Sequence, residues 1–144
     1  MQETRPDPVS WLKLTLVKVE ITIIFVLLVV GVIAIEGSWD RLTIWNVVPL
    51  VLSYIVLLFI APRTGARWKD IPRERFFPAI GFCAGASGLT VFAHLAWHFD
   101  WGNMASGSST AALMFIFLPA CAVGLGIVGL ILGLWLGGPL ENDR

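Results

Sequence analysis

The chain has 144 residues, of which 57% are hydrophobic and 14% are charged, and ten lysines and arginines balance ten aspartates and glutamates. Soluble domains are about 45–50% apolar and about 25% charged, so this composition excludes an ordinary soluble domain and an intrinsically disordered chain. Two cysteines are too few for a disulfide scaffold. Together with a mean hydropathy of +0.82, these values predict an integral membrane protein.

Four apolar runs predict four transmembrane helices. They lie at about residues 14–35, 44–61, 76–98 and 111–136. A helix needs roughly 20 apolar residues to cross the hydrocarbon core, and each run is close to that length or longer. In lipid the backbone must satisfy its own hydrogen bonds, which favours helices over irregular structure. We therefore predict an all-α integral membrane protein, a single four-helix transmembrane domain spanning residues 1–144, arranged as an up-down bundle.

The basic residues lie almost entirely on one side of this predicted topology. The N-terminal flank, the loop at 62–75 and the C-terminal tail carry nine of the ten lysines and arginines, and the tenth is Arg41. The positive-inside rule then places both termini in the cytoplasm. The sequence thus predicts a multi-pass protein of a cell membrane, of the bacterial inner-membrane kind. Its expected partner is the lipid bilayer, and the basic loop is read as a topological signal rather than a nucleic-acid site.

Glycines recur at helical spacing in the third and fourth predicted helices. The predicted helix-packing residues are Gly81, Gly85, Gly88, Gly129, Gly133 and Gly137. Those of the third helix lie within ~60° of one another at about 100° per residue, so they form one narrow face. Small residues let transmembrane helices approach closely, which predicts contact between these two helices. The alternative is that one glycine face mediates homo-oligomerisation or docks a larger membrane complex.

The third helix also carries the two histidines of the chain. His94 and His98 are spaced four residues apart and point the same way, and Asp100 follows just beyond them. The two histidines end a polar stripe on one face of this helix, formed by Cys83, Ser87, Thr90, His94 and His98. We expect this end of the stripe to meet polar residues of the first two helices, among them Asn46 and Glu36. Such spacing holds a metal ion where a third ligand converges, so His94, His98 and Asp100 form a candidate transition-metal site, with Glu36 assisting.

Two other interpretations of the histidines stay open. A proton relay uses the same residues without a metal ion, since histidine is the side chain that most readily gains and loses a proton near neutral pH. The histidines are otherwise simple hydrogen-bonding residues, His94 at a helix contact and His98 at the membrane interface. Asp40 is a further carboxylate on the same predicted side.

Complete catalytic sets are missing from the sequence. Ser87 and His94 lie on one helix about 10 Å apart, beyond hydrogen-bond reach of each other. Cys83 and Cys121 form no C-x-x-C pair and are interpreted as packing residues. Two histidines on one helix do not supply the opposed ligands that haem needs. No cofactor is predicted apart from the candidate transition metal.

Two functions follow from these patterns. The leading hypothesis is a non-enzymatic membrane protein that acts through helix–helix or loop contacts, as an accessory subunit or a self-associating bundle. The alternative is an outer-face membrane site that handles a metal ion or protons through His94, His98 and Asp100. Architecture alone does not separate them, but the surroundings of His94 do.

Overall fold

The computed structural model describes residues 8–36, 41–60, 71–106 and 113–138, with side chains of the first segment from Lys18 onward. Four α-helices follow one another: α1 (Pro8–Glu36), α2 (Arg41–Ile60), α3 (Arg73–His98) and α4 (Met114–Gly137). A short 3-10 turn, Trp101–Asn103, follows α3. No strand occurs within these segments.

Each of the four helices is long and apolar enough to cross a membrane. The qualifying segments are Lys18–Glu36, Arg41–Ile60, Arg73–His98 and Met114–Gly137, with mean hydropathy between 1.6 and 2.6. The all-helical prediction with four candidate spans is confirmed at this level. α3 begins at Arg73, a little before the predicted residue 76, because the carbonyl of Pro72 accepts the amides of Arg75 and Phe76 and so opens the first turn.

The helices differ in how much of their surface lies inside the bundle. Only 11% of the apolar window of α1 is buried, against 28% for α2, 33% for α3 and 22% for α4. Ile24 and Leu27 of α1 are 60% and 65% exposed. In water such a surface would drive association, whereas in a bilayer it meets lipid tails that are equally apolar. α1 is therefore the peripheral helix of the four.

Helices α3 and α4 form the most extensive contact and run antiparallel. Going along α3 from Arg73 to Gly85, the partner position on α4 moves back from Gly137 to Leu125. A side chain on Gly81 would overlap the carbonyl of Gly129, and one on Gly85 would lie 2.5 Å from the carbonyl oxygen of Leu125. The two backbones approach this closely only because the facing positions have no side chain.

Five of the six predicted packing glycines lie in this contact, and one does not. Gly133 sits against the carbonyl of Phe77 and Gly137 against that of Arg73, whereas a Cβ on Gly88 would meet nothing within 4 Å. Gly126, which the spacing argument left out, packs against the Phe82 ring. The contact row moves about 40° around α3 with every four residues, whereas Gly88 lies about 60° back from Gly85 and so falls behind this row.

Helix α2 is tied to α4 by a hydrogen bond from an indole. The Nε1–H of Trp45 donates to the carbonyl oxygen of Ile116, at 2.9 Å. That carbonyl lies in the turn before Pro119, although the carbonyl whose helix donor the proline removes is that of Phe115, four residues earlier. The Trp45 bond is therefore an additional polar contact between two transmembrane helices, of the kind that supports their association. The bond helps to fix the end of the bundle at which His94 lies.

Candidate functional site formed by Glu36, Asn46 and His94

Three polar side chains from three helices meet at one end of the bundle. Glu36 is the last residue of α1, Asn46 lies near the start of α2, and His94 lies one turn before the end of α3. Asn46 and His94 are each 1% exposed, and the side chain of Glu36 is 17% exposed. Polar groups buried this deeply are expensive unless they bond to one another. We call these residues the Glu36–Asn46–His94 cluster.

One carboxylate oxygen joins the three helices. Oε1 of Glu36 lies 2.8 Å from Nε2 of His94 and accepts a hydrogen bond of 2.9 Å from Nδ2 of Asn46. The other imidazole nitrogen, Nδ1 of His94, lies 2.7 Å from the backbone carbonyl oxygen of Thr90. The Phe115 ring of α4 packs edge-on against the imidazole, with 5.1 Å between the two ring centroids. The imidazole is thus fixed from both of its nitrogens.

These contacts determine how many protons the cluster holds. The carbonyl of Thr90 can only accept, so the 2.7 Å contact requires a proton on Nδ1. A neutral imidazole has one N–H, and with that proton on Nδ1 its Nε2 is an acceptor. Nε2 then faces Oε1 of Glu36, and two acceptors at 2.8 Å repel unless a proton lies between them. A neutral His94 beside an ionised Glu36 therefore has one proton too few for this geometry. The additional proton lies between Nε2 and Oε1, bonded either to His94 or to Glu36.

The amide of Asn46 leaves one strong acceptor without a partner. Its Nδ2 is used by Glu36, while its Oδ1 is buried and has no hydrogen-bond partner among the described residues. Turning the amide over would place Oδ1 against the carboxylate, so the contact to Glu36 fixes the orientation. An unpaired buried acceptor costs about 1–3 kcal/mol. The unpaired Oδ1 of Asn46 thus lowers the stability of the bundle at this cluster.

Two of the predicted site residues lie apart from this cluster. His98 is exposed and meets the Phe99 ring edge-on at 5.0 Å. Asp100 accepts hydrogen bonds from Ser106, through its hydroxyl at 2.5 Å and its amide at 3.1 Å, and from the amide of Ala105 at 2.7 Å. These bonds, the hydroxyl of Ser106 first, lower the pKa of Asp100 below its ordinary value. Asp100 therefore orders the turn after α3.

The described residues bring no three His, Cys, Asp or Glu side chains together in a way that would hold a metal ion. Of the predicted set, only His94 and Glu36 are in contact. Asp40 lies outside the described part of the chain.

Cys83 and Thr90, which share a face of α3 with His94, have hydrogen-bond partners close by. The thiol of Cys83 donates to the carbonyl of Ser53 at 3.5 Å, and the hydroxyl of Thr90 donates to the carbonyl of Ala86 at 2.8 Å. Ser87 lines an apolar cavity between α1, α2 and α3. Cys121 is exposed on α4. Cys83 and Thr90 thus bond to backbone carbonyls, whereas no contact assigns a packing role to the exposed Cys121.

Sequence reasoning missed one buried polar residue of α2. Thr43 is 1% exposed, and with Asn46 and Ser53 it forms a buried polar row in an otherwise apolar helix. The sequence contained this signal, because Thr43 and Asn46 are three residues apart and Asn46 and Ser53 are seven apart. All three therefore share one helix face. The role of the Thr90 carbonyl carried no such signal, since a backbone group leaves no mark in the sequence.

Comparison with protein-family models, with curated proteins and with solved structures finds no significant match. Function is therefore argued from the side chains of the chain itself and from what their geometry allows.

Proposed function

We propose that this chain is a small multi-pass membrane protein whose functional centre is a proton-holding site formed by Glu36 and His94. The observation that carries the proposal is that both imidazole nitrogens of His94 lie within 2.8 Å of oxygen acceptors. A neutral imidazole can donate to only one of them. Ionisable residues inside a membrane bundle commonly mark proton pathways, and here a buried His94 meets a partly exposed Glu36 at the end of α1.

The proposed topology determines on which side of the membrane the site lies. We propose an up-down bundle in the bacterial inner membrane as a single domain, with both termini and the basic loop at 62–75 in the cytoplasm. The end of the bundle that contains the Glu36–Asn46–His94 cluster then faces the outside. The 17% exposure of the Glu36 side chain supports proton exchange on that side, while the Phe115 ring packs on His94.

Each residue of the cluster has a distinct part in this proposal. His94 and Glu36 hold the proton between Nε2 and Oε1, and the carbonyl of Thr90 keeps the second N–H of the imidazole in place. Asn46 donates to the same Oε1 and so positions the carboxyl group without taking up a proton itself. Proton uptake and release then require no rearrangement of the imidazole ring.

Nitrogen NMR of the reconstituted protein tests the proposal. The chain has two histidines, so a His98→Ala variant leaves the His94 ring as the sole imidazole signal. We expect Nδ1 to carry a proton throughout and Nε2 to report a hydrogen-bonded proton that is lost as the pH is raised. The same loss should be absent from a Glu36→Gln variant, whose amide donates to Nε2 at every pH.

One NMR result would contradict the proton-holding site. If Nε2 of His94 gives the signal of a free, unprotonated nitrogen at every pH at which the protein stays folded, the proton-holding site is wrong. The Glu20→Gln variant is the matched control, because Glu20 is an exposed carboxylate near the other end of the α1 span and should leave the His94 signal unchanged.

We also propose a second candidate function, an accessory or self-associating subunit that acts through helix contacts. It is favoured by an unused small-residue position on α3, since Gly88 is exposed and a side chain there would meet nothing within 4 Å. Crosslinking in liposomes tests it. A Gly88→Leu variant should lose the dimers or hetero-complexes of the native chain, and a native chain that is monomeric at high protein-to-lipid ratio overturns this candidate.

A further inference from the structure

Helix α1 has few attachments to the rest of the bundle. Along its described side chains, polar bonds to other helices are made at two places, Glu36 at one end and Thr22 nearer the other. Thr22 lies 3.0 Å from the hydroxyl of Tyr54, and the Phe25 ring stacks on the Tyr54 ring at 4.5 Å. Between these places the apolar contacts are sparse, because only 11% of the window is buried.

A cavity lies behind α1, between it and helices α2 and α3. Its volume is about 230 Å³, and apolar residues line most of it. Leu28 of α1, Leu57 of α2 and Cys83 of α3 are on its wall. Along this cavity the side chains of α1 are separated from those of α2 and α3 rather than interdigitated with them. Small displacements of α1 therefore disturb little tight packing.

We propose that Glu36 is a proton-dependent clamp that holds the end of α1 against α2 and α3. This inference rests on the proton-holding site proposed above and adds its consequence for the fold. While the shared proton is present, Oε1 of Glu36 is bonded to His94 and Asn46. When the proton leaves to water, the Nε2 lone pair faces the carboxylate, and the contact changes from attraction to repulsion.

A change of tautomer does not relieve this repulsion. Moving the remaining imidazole proton of His94 to Nε2 restores the bond to Glu36, but it then sets the Nδ1 lone pair against the Thr90 carbonyl at 2.7 Å. Either tautomer leaves one acceptor facing another inside a site of low dielectric, where such contacts are costly. Of the groups involved, the Glu36 side chain can move most easily, because it sits at a helix end and is partly exposed.

The other charged groups that the structure describes near this end of the bundle are not bonded to Glu36 or His94. On α2, Arg41 is exposed, and on α3, His98 is exposed and meets the Phe99 ring. After α3, Asp100 is bonded to Ser106 and Ala105. The described part of α4 has no acidic or basic side chain, and its Phe115 faces His94. The pH response is thus assigned to Glu36 and His94 together.

Electron-spin distance measurement in lipid nanodiscs tests the clamp. Both native cysteines are replaced by alanine, and labels are attached through Val30→Cys on α1 and Phe117→Cys on α4, at positions 55% and 65% exposed. At low pH we expect one narrow distance distribution. At a pH where the NMR signal of Nε2 has lost its proton, we expect a second, longer distance to hold at least half of the molecules.

Two variants separate the clamp from a general effect of pH. Glu36→Gln keeps a donor toward Nε2 without a titrating proton, so its short distance should persist at high pH. Glu20→Gln should behave as the native chain does. If Glu36→Gln folds poorly, His94→Gln decides in its place, because it also removes the titrating pair and its distance should not change with pH.

Each result either supports or overturns the clamp. Loss of the proton from His94 with an unchanged distance overturns it and leaves the proton-holding site intact. A free Nε2 at every pH, neither protonated nor hydrogen-bonded to a proton on Glu36, overturns the proposed function itself. Equal lengthening in Glu36→Gln and the native chain also overturns the clamp, because the movement would then arise elsewhere in the bundle.

Discussion

Gly81 of α3 and Gly129 of α4 face one another so closely that a methyl group on either residue would overlap the backbone carbonyl of the other. Carbonyl groups inside a helix cannot rotate aside as the end of a flexible side chain does. Any added Cβ must therefore separate the helices, and the same geometry recurs one turn away between Gly85 and Leu125. The α3–α4 pair is the most closely packed part of the bundle, and α1 is its least buried helix.

The first prediction concerns this helix pair. Gly81→Ala and Gly129→Ala should each lower the free energy of unfolding by about 1–3 kcal/mol, the usual range for overpacking a close contact. Gly88→Ala is the matched control on the same helix, where the new methyl group meets nothing within 4 Å. It should be neutral or stabilising by up to ~1 kcal/mol, since alanine favours helices more than glycine does. Unfolding in mixed micelles measures all three, and equal losses at Gly81 and Gly88 would contradict the assignment.

The second prediction is an energetic coupling between Glu36 and His94. Glu36→Ala and His94→Ala should each be strongly destabilising, because each leaves a buried partner without its bond. The double variant should cost less than the sum, with a coupling of about 0.5–3 kcal/mol as found for residues in direct contact. The same cycle on Glu20 and His98, both exposed, should give no coupling. Additive losses at Glu36 and His94 would mean that their contact contributes nothing measurable.

The helical architecture could be read from the sequence because lipid leaves the backbone few choices. Long apolar runs have to form helices, and four candidate spans result. The glycine spacing could also be read to a large extent, because positions four apart form a row on a helix. Gly88 was grouped with Gly81 and Gly85 since they share a face, yet the contact continues along the row of four, which passes Gly88 by.

The candidate site was predictable only in part. The burial of His94 and its meeting with Glu36 and Asn46 follow from polar residues at the same end of three predicted helices. Which of His98 and Asp100 joins them depends on distances between helices and on loop conformation. Asp100 adopts a left-handed backbone conformation, with a φ of 51°, and bonds within its own turn to Ser106. Spacing along one helix contains no information about either feature.

The third prediction tests the turn that Asp100 organises. The pKa of Asp100 is lowered in the fold, foremost by the hydroxyl of Ser106, so the ionised carboxylate stabilises this turn. The stabilisation is fully present above the unfolded-state pKa and is lost as the pH falls through the lower folded-state pKa. The amide signals of Ala105 and Ser106 should then lose protection in acid. Asp100→Asn should show weak protection at every pH, and an Asp100→Asn turn as ordered as the native one would contradict the prediction.

The fourth prediction concerns the bond between α2 and α4. Trp45→Phe keeps an aromatic ring but removes the donor to the Ile116 carbonyl, which lies 2.9 Å from Nε1. We expect a loss of about 1 kcal/mol in the free energy of unfolding, typical of one hydrogen bond, because the direct polar link between α2 and α4 is removed. Trp135→Phe is the control, since Trp135 is 80% exposed near the end of α4. The bond also predicts a specific readout: exchange of the Trp45 indole proton should be slow, and that of Trp135 should be faster. Similar exchange rates, or equal stability losses in the two variants, would show that the indole of Trp45 does not hold α4 in the membrane.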